Sequence, residues 1–169
     1  MFGHKTDAWL DIWSLQHIFF GLLVSAFLGR RLKKCGPKVL LLAIAAEYSW
    51  EVVEFHLETG HAGRAIAVWF AGQEFIGNRL LVDPVLTCSL GYWLWRLAPQ
   101  AVSAARVMTL VWWSFHIAVA PDCMYLMDPA AWRQWTTWSF LGCYFGGGIM
   151  IFAATSPPAR KIKTPVPFS

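Results

Sequence analysis

Four glutamates, Glu47, Glu51, Glu54 and Glu58, recur at i, i+4, i+7 and i+11. At about 100° per residue they fall within a stripe roughly 60° wide on one face of a helix. Carboxylates gathered in this way suit three kinds of chemistry: general acid–base work, ligation of a cation, or relay of a proton. An imidazole stands at a matching level, since His17 lies eight residues into the first apolar stretch. That is a depth of roughly 12 Å at 1.5 Å per residue. Glu47 and Glu51 sit roughly 10–16 Å below the end of their own stretch on the same arithmetic.

His17 with Glu47, Glu51 and Glu54, joined by Asp83, makes a nitrogen-plus-oxygen donor set suited to zinc, manganese or iron. A divalent metal is therefore one candidate cofactor. A di-iron bundle wants two Glu-x-x-His motifs, and the sequence offers only Glu58-x-x-His61, interrupted by Gly60. His17 and His116 could instead hold a haem from two helices. If the site acts on a substrate, His17 or Glu51 is the acid–base group, with Glu47, Glu54, Asn78 and Asp83 binding and orienting. The remaining reading is a polar network that only fixes helix register.

Charge compensation is the difficulty for all of these. Arg79 and Asp83, four apart, are expected to pair with each other if their segment is α-helical. Glu58, near the end of its stretch, is expected to reach water. No Lys or Arg falls at the level of Glu47 and Glu51. These two must be protonated, hydrogen-bonded to His17, Trp or Tyr48, or neutralised by a bound cation.

The elements that would position these groups follow from composition. The chain has 169 residues, of which 57% are hydrophobic and only 14% charged, with 11 Trp and 12 Phe. Soluble domains carry about 25% charged residues, so an ordinary soluble fold, a disordered chain and a disulfide scaffold are all disfavoured. The expectation is an all-α polytopic bundle of five transmembrane helices at residues 9–29, 39–58, 80–97, 104–127 and 132–155. A short interfacial or re-entrant helix is expected over 64–77. Residues 1–155 would form one membrane domain, and 156–169 a flexible cytoplasmic tail. Ten of the 14 Lys and Arg fall on one side of this arrangement, which places the N-terminus outside and the C-terminus in the cytoplasm. The partners implied are the lipid bilayer and other membrane subunits, with no role for nucleic acid. Walker, Rossmann, Gly-x-Ser-x-Gly and Cys-x-x-Cys motifs are absent from the sequence. Gly142-x-x-x-Gly146 is a helix-packing pattern.

Asp11 and His17 followed by Gly21, then Glu47-Tyr48-Ser49-Trp50-Glu51-Val52-Val53-Glu54, then Gly77-Asn78, Asp83 and Gly91 form an ordered pattern. It resembles the VanZ-like group of small bacterial inner-membrane proteins over residues 9–97. The resemblance implies that His17, Glu47, Glu51, Glu54, Asn78 and Asp83 belong to one site, in a protein of the inner membrane linked to envelope chemistry. Two function classes result. Either an outward-facing carboxylate–histidine pocket binds a cation or a polar substrate headgroup, or the chain is an accessory subunit or assembly factor whose polar network is structural.

Overall fold

Asp11 starts the first helix. Its side chain accepts from the backbone N–H of Trp13 at 2.8 Å and of Ser14 at 3.0 Å, while the Ser14 hydroxyl accepts from the Asp11 backbone N–H. This reciprocal cap satisfies donors that the first helical turn cannot pair itself. Helix α1 runs over Ile12–Leu32 and ends at Lys33 in the left-handed region, with Arg30 and Arg31 in its last turn against the negative end of the helix dipole. Helix α2, Pro37–Glu58, opens with proline at its first position, where a missing N–H costs nothing. The computed structural model describes residues 4–33, 36–64, 67, 70, 72–119 and 156.

The third apolar stretch is divided. Asn78–Thr87 winds as a π-helix, with i→i+5 bonding, and passes directly into helix α3, Cys88–Leu97. Pro84 lies inside the π segment and has no N–H to give to a carbonyl of the preceding turn. Tyr48 of α2 donates its hydroxyl to the Leu80 carbonyl at 2.7 Å. The Thr87 hydroxyl donates to the Asp83 carbonyl at 2.6 Å. Helix α4 covers Ala101–Val119.

Two glycines set the crossing of α1 and α3. A methyl group on Gly91 would lie 2.3 Å from the Ile18 carbonyl oxygen and 2.5 Å from the Leu22 nitrogen, and one on Gly21 would lie 2.7 Å from the Cys88 Cα. The helices meet backbone to backbone, which only residues without a Cβ permit. Leu22, Leu23 and Ala105 form the apolar core beside this crossing, packed by Phe19, Trp95, Ala101 and Val102. The crossing holds α1, with His17, against the segment that carries Asp83.

The five-span membrane bundle is corrected by these helices, and the transmembrane description goes with it. The all-α class stands, but no helix of the described residues is long and apolar enough to cross a membrane. A spanning helix needs about 20 predominantly apolar residues. Helix α2 has the length but carries Lys38 and four glutamates. Helix α1 carries Gln16, His17 and two arginines. The expected third span is two successive segments of ten residues each, the first of them polar at Asn78, Arg79 and Asp83. Residues 120–155 and 157–169, with the expected fifth span, the Gly142–Gly146 pattern and most of the tail, lie outside the described residues, as does the side chain of His116. Most of the apolar positions in the helix expected over 64–77 lie outside them too.

Candidate functional site

Helix α2 is inverted relative to an ordinary amphipathic helix. Its interior face is Val39, Ala43, Glu47, Glu51 and Glu58, all buried, with Glu54 half-buried beside them. Its outer face is the apolar row Leu41, Ala45, Tyr48, Val52 and Phe55, all exposed. The glutamate stripe therefore points into the bundle, toward α1 and the π segment. Burying four carboxylates is costly unless each finds a positive partner or a donor. The partners divide into two groups.

The first group is built on permanent cations. Lys5, from the segment before α1, places its Nζ 2.6 Å from Glu58 Oε1 and 3.6 Å from Glu54 Oε1. Arg79, at the start of the π segment, donates through Nη2 to Glu58 Oε2, and the same nitrogen lies 3.5 Å from Glu74 Oε2. Glu58 Oε2 also accepts from the Glu74 backbone N–H at 3.2 Å. Aromatic faces complete the setting, with Arg79 over Phe55 at 5.3 Å and Lys5 over Phe70 at 5.2 Å. Backbone contacts pin these pieces in place. Phe75 donates its N–H to the Lys5 carbonyl at 2.9 Å, and the Trp9 and Phe75 rings meet edge to face.

The second group is built on His17. Its Nδ1 is hydrogen-bonded to Glu47 Oε1 and lies 3.6 Å from Glu51 Oε1, while its Nε2 lies 3.4 Å from Asp83 Oδ2. Glu47 and Asp83 are completely buried. One imidazole, able to carry a single charge at most, thus serves three carboxylates. Glu51 is the least satisfied of them. It is 2% exposed, neither of its oxygens has a hydrogen-bond partner among the described residues, and Arg79 Nε approaches Oε2 only to 3.6 Å. Both oxygens of Asp83 and one each of Glu47, Glu58 and Glu74 also make no hydrogen bond among the described residues, although His17, Lys5 and Arg79 stand within ion-pair distance of Asp83, Glu58 and Glu74 respectively. Glu74 is oriented by Asn78, whose Nδ2 donates to its Oε1 at 2.7 Å.

Titration behaviour outside the helix stripe reflects this excess of acid. Burial, followed by the nearby charges of Glu54, Glu51 and Asp83, pushes the Glu74 carboxyl up to about 10. Burial opposes the charge of Lys5, but Glu54 and Glu58 outweigh it and raise its pKa above the ordinary lysine value. Arg79 is raised in the same way, burial being outweighed by Glu58 first and then by Glu74 and Glu54.

Every residue of the anticipated site is found here: His17, Glu47, Glu51, Glu54, Asn78 and Asp83. The pairings differ from expectation. Asp83 faces His17 rather than Arg79, and Arg79 turns to Glu58 and Glu74. The i, i+4 rule assumes α geometry, and the π winding moves the two side chains off a common face. Glu58 is not solvated but 5% exposed, enclosed by Lys5 and Arg79. Lys5 and Glu74 are not legible in the sequence as members of the cluster, and Arg79 is legible only beside Asp83 at the start of its segment. Arg79 does reach Glu51, contrary to the expectation of no cation at that level.

Two donor sets could hold a metal ion, with their ligand atoms all within 4.8 Å of one another: His17, Glu51 and Glu54, and Glu51, Glu74 and Asp83. Glu47 belongs to neither and acts on the imidazole of His17. No family model, no curated protein and no solved structure matches this chain.

Proposed function

We propose that this chain binds a divalent cation in its buried carboxylate–histidine cluster, with His17, Glu51 and Glu54 as ligands. The observation that carries the reading is the deeply buried carboxylate of Glu51, neither oxygen of which makes a hydrogen bond among the described residues. Oxygen acceptors in this state are costly unless neutralised, and a cation supplies the missing charge to several of them at once. The nitrogen-plus-oxygen donor set suits zinc, manganese or iron. The hydrogen bond to Glu47 and the approach to Asp83 hold the His17 ring in place beside Glu51.

Elemental analysis of the purified chain tests this. About one or more equivalents of a transition metal per chain is the expected result, with loss of that metal in Glu51→Gln at unchanged accumulation. Metal below about 0.1 equivalent, with no effect of a chelator on melting, contradicts it.

The inverted face of α2 favours a second reading, that of an accessory subunit in a larger assembly. Leu41 is 65% and Val52 58% exposed on that row, and a row of exposed apolar side chains marks an interaction surface. On this reading Glu51→Gln lowers accumulation or assembly, and no metal is involved.

A further inference from the structure

The geometry points to two cation positions bridged by the carboxylate of Glu51, one completed by His17 and Glu54 and the other by Glu74 and Asp83. The inference rests on the cation-binding reading above and specifies its stoichiometry. Glu51 is the one residue common to both donor sets. Its two oxygens face different neighbours: Oε1 lies 3.6 Å from His17 Nδ1, and Oε2 lies 3.6 Å from Arg79 Nε, on the side where Arg79 meets Glu74. A carboxylate with one oxygen toward each set is the usual link in two-metal sites, whose ions lie about 3.5–4 Å apart.

The unpartnered oxygens are distributed to match. Neither oxygen of Glu51 makes a hydrogen bond among the described residues, and Glu51 is 2% exposed; Asp83, 0% exposed, has His17 Nε2 at 3.4 Å from Oδ2. Glu74 uses Oε1 for Asn78 and leaves Oε2 without a hydrogen bond. Glu54, the most accessible member of the stripe, gives the first position a route to solvent.

Manganese(II) titration of the metal-free, full-length chain tests the proposal. Two equivalents are expected to bind. Glu54→Gln and Glu74→Gln each retain one, and Glu51→Gln retains none with comparable affinity. Saturation of the wild-type chain at one equivalent overturns the bridge while leaving the cation-binding reading intact. No binding at all overturns both. Electron paramagnetic resonance of the wild-type chain at two equivalents provides a check that needs no variant. A spin-coupled manganese pair is expected, and two independent six-line signals overturn the shared carboxylate.

Discussion

The two halves of the acidic cluster are built from the same residue types and reach opposite electrostatic outcomes. Around Glu58, two permanent cations and a backbone N–H meet one carboxylate. Around His17, one titratable ring meets three. The difference separates scaffold from site. Glu58 ties the segment before α1 and the start of the π segment to the end of α2, with a permanent cation against each of its oxygens. Glu51 has no cation nearer than 3.6 Å and no hydrogen bond among the described residues.

The largest effect expected from disturbing this contrast is on the scaffold half. Arg79→Met strips the guanidinium from Glu58 and Glu74 and leaves both buried acids without it. Removing one partner of a buried ion pair costs about 3–5 kcal/mol, and urea unfolding of the metal-free chain measures it. If Glu51→Gln costs as much under the same conditions, the contrast between the halves is lost.

Next comes the crossing that holds His17 beside Asp83. Gly91→Ala forces a methyl group into the backbone of α1 at Ile18 and Leu22. Overpacking of this kind costs about 1–3 kcal/mol. Because α1 must move away from α3, metal affinity is expected to fall together with stability. A variant that loses stability alone would separate the crossing from the site.

How far the sequence foretold this arrangement depends on the range of the interaction. The glutamate stripe was legible because helical periodicity is local, and so was the need for compensation. The partners were not, because Lys5 and Glu74 reach Glu58 through chain folding that no spacing encodes. Arg79 and Asp83 were paired wrongly for a local reason, namely that their segment winds with i→i+5 rather than α bonding. Membrane spans were inferred from overall apolar content, which does not register that His17, four glutamates and Asp83 interrupt the very helices counted. The spacing puts His17 at the depth of Glu51, and its bond to Glu47, one turn earlier on α2, is a tertiary contact that spacing does not encode.

A smaller effect tests the anchoring of α1. Asp11→Ala removes the cap that begins the helix six residues before His17 and is expected to cost about 1 kcal/mol. Its signature is a lower unfolding midpoint with metal stoichiometry unchanged, since the imidazole is held by contacts at its own level. Loss of metal in this variant would place the cap within the site.

Smallest is the effect of Glu51→Gln on the chain without metal. Burial pushes the Glu51 carboxyl up to about 8, so without metal an amide of the same shape replaces a largely protonated acid, and stability is expected to stay within about 1 kcal/mol of wild type or to rise. The same substitution should abolish the response to cations. Unfolding of the two proteins with and without added manganese(II) is therefore the most direct test of the central claim. At a hundredfold excess of free metal over Kd, the wild-type chain is expected to gain about 2.7 kcal/mol for each ion bound, and Glu51→Gln is expected to gain nothing. Equal stabilisation of both proteins, or of neither, would contradict a cation held by Glu51.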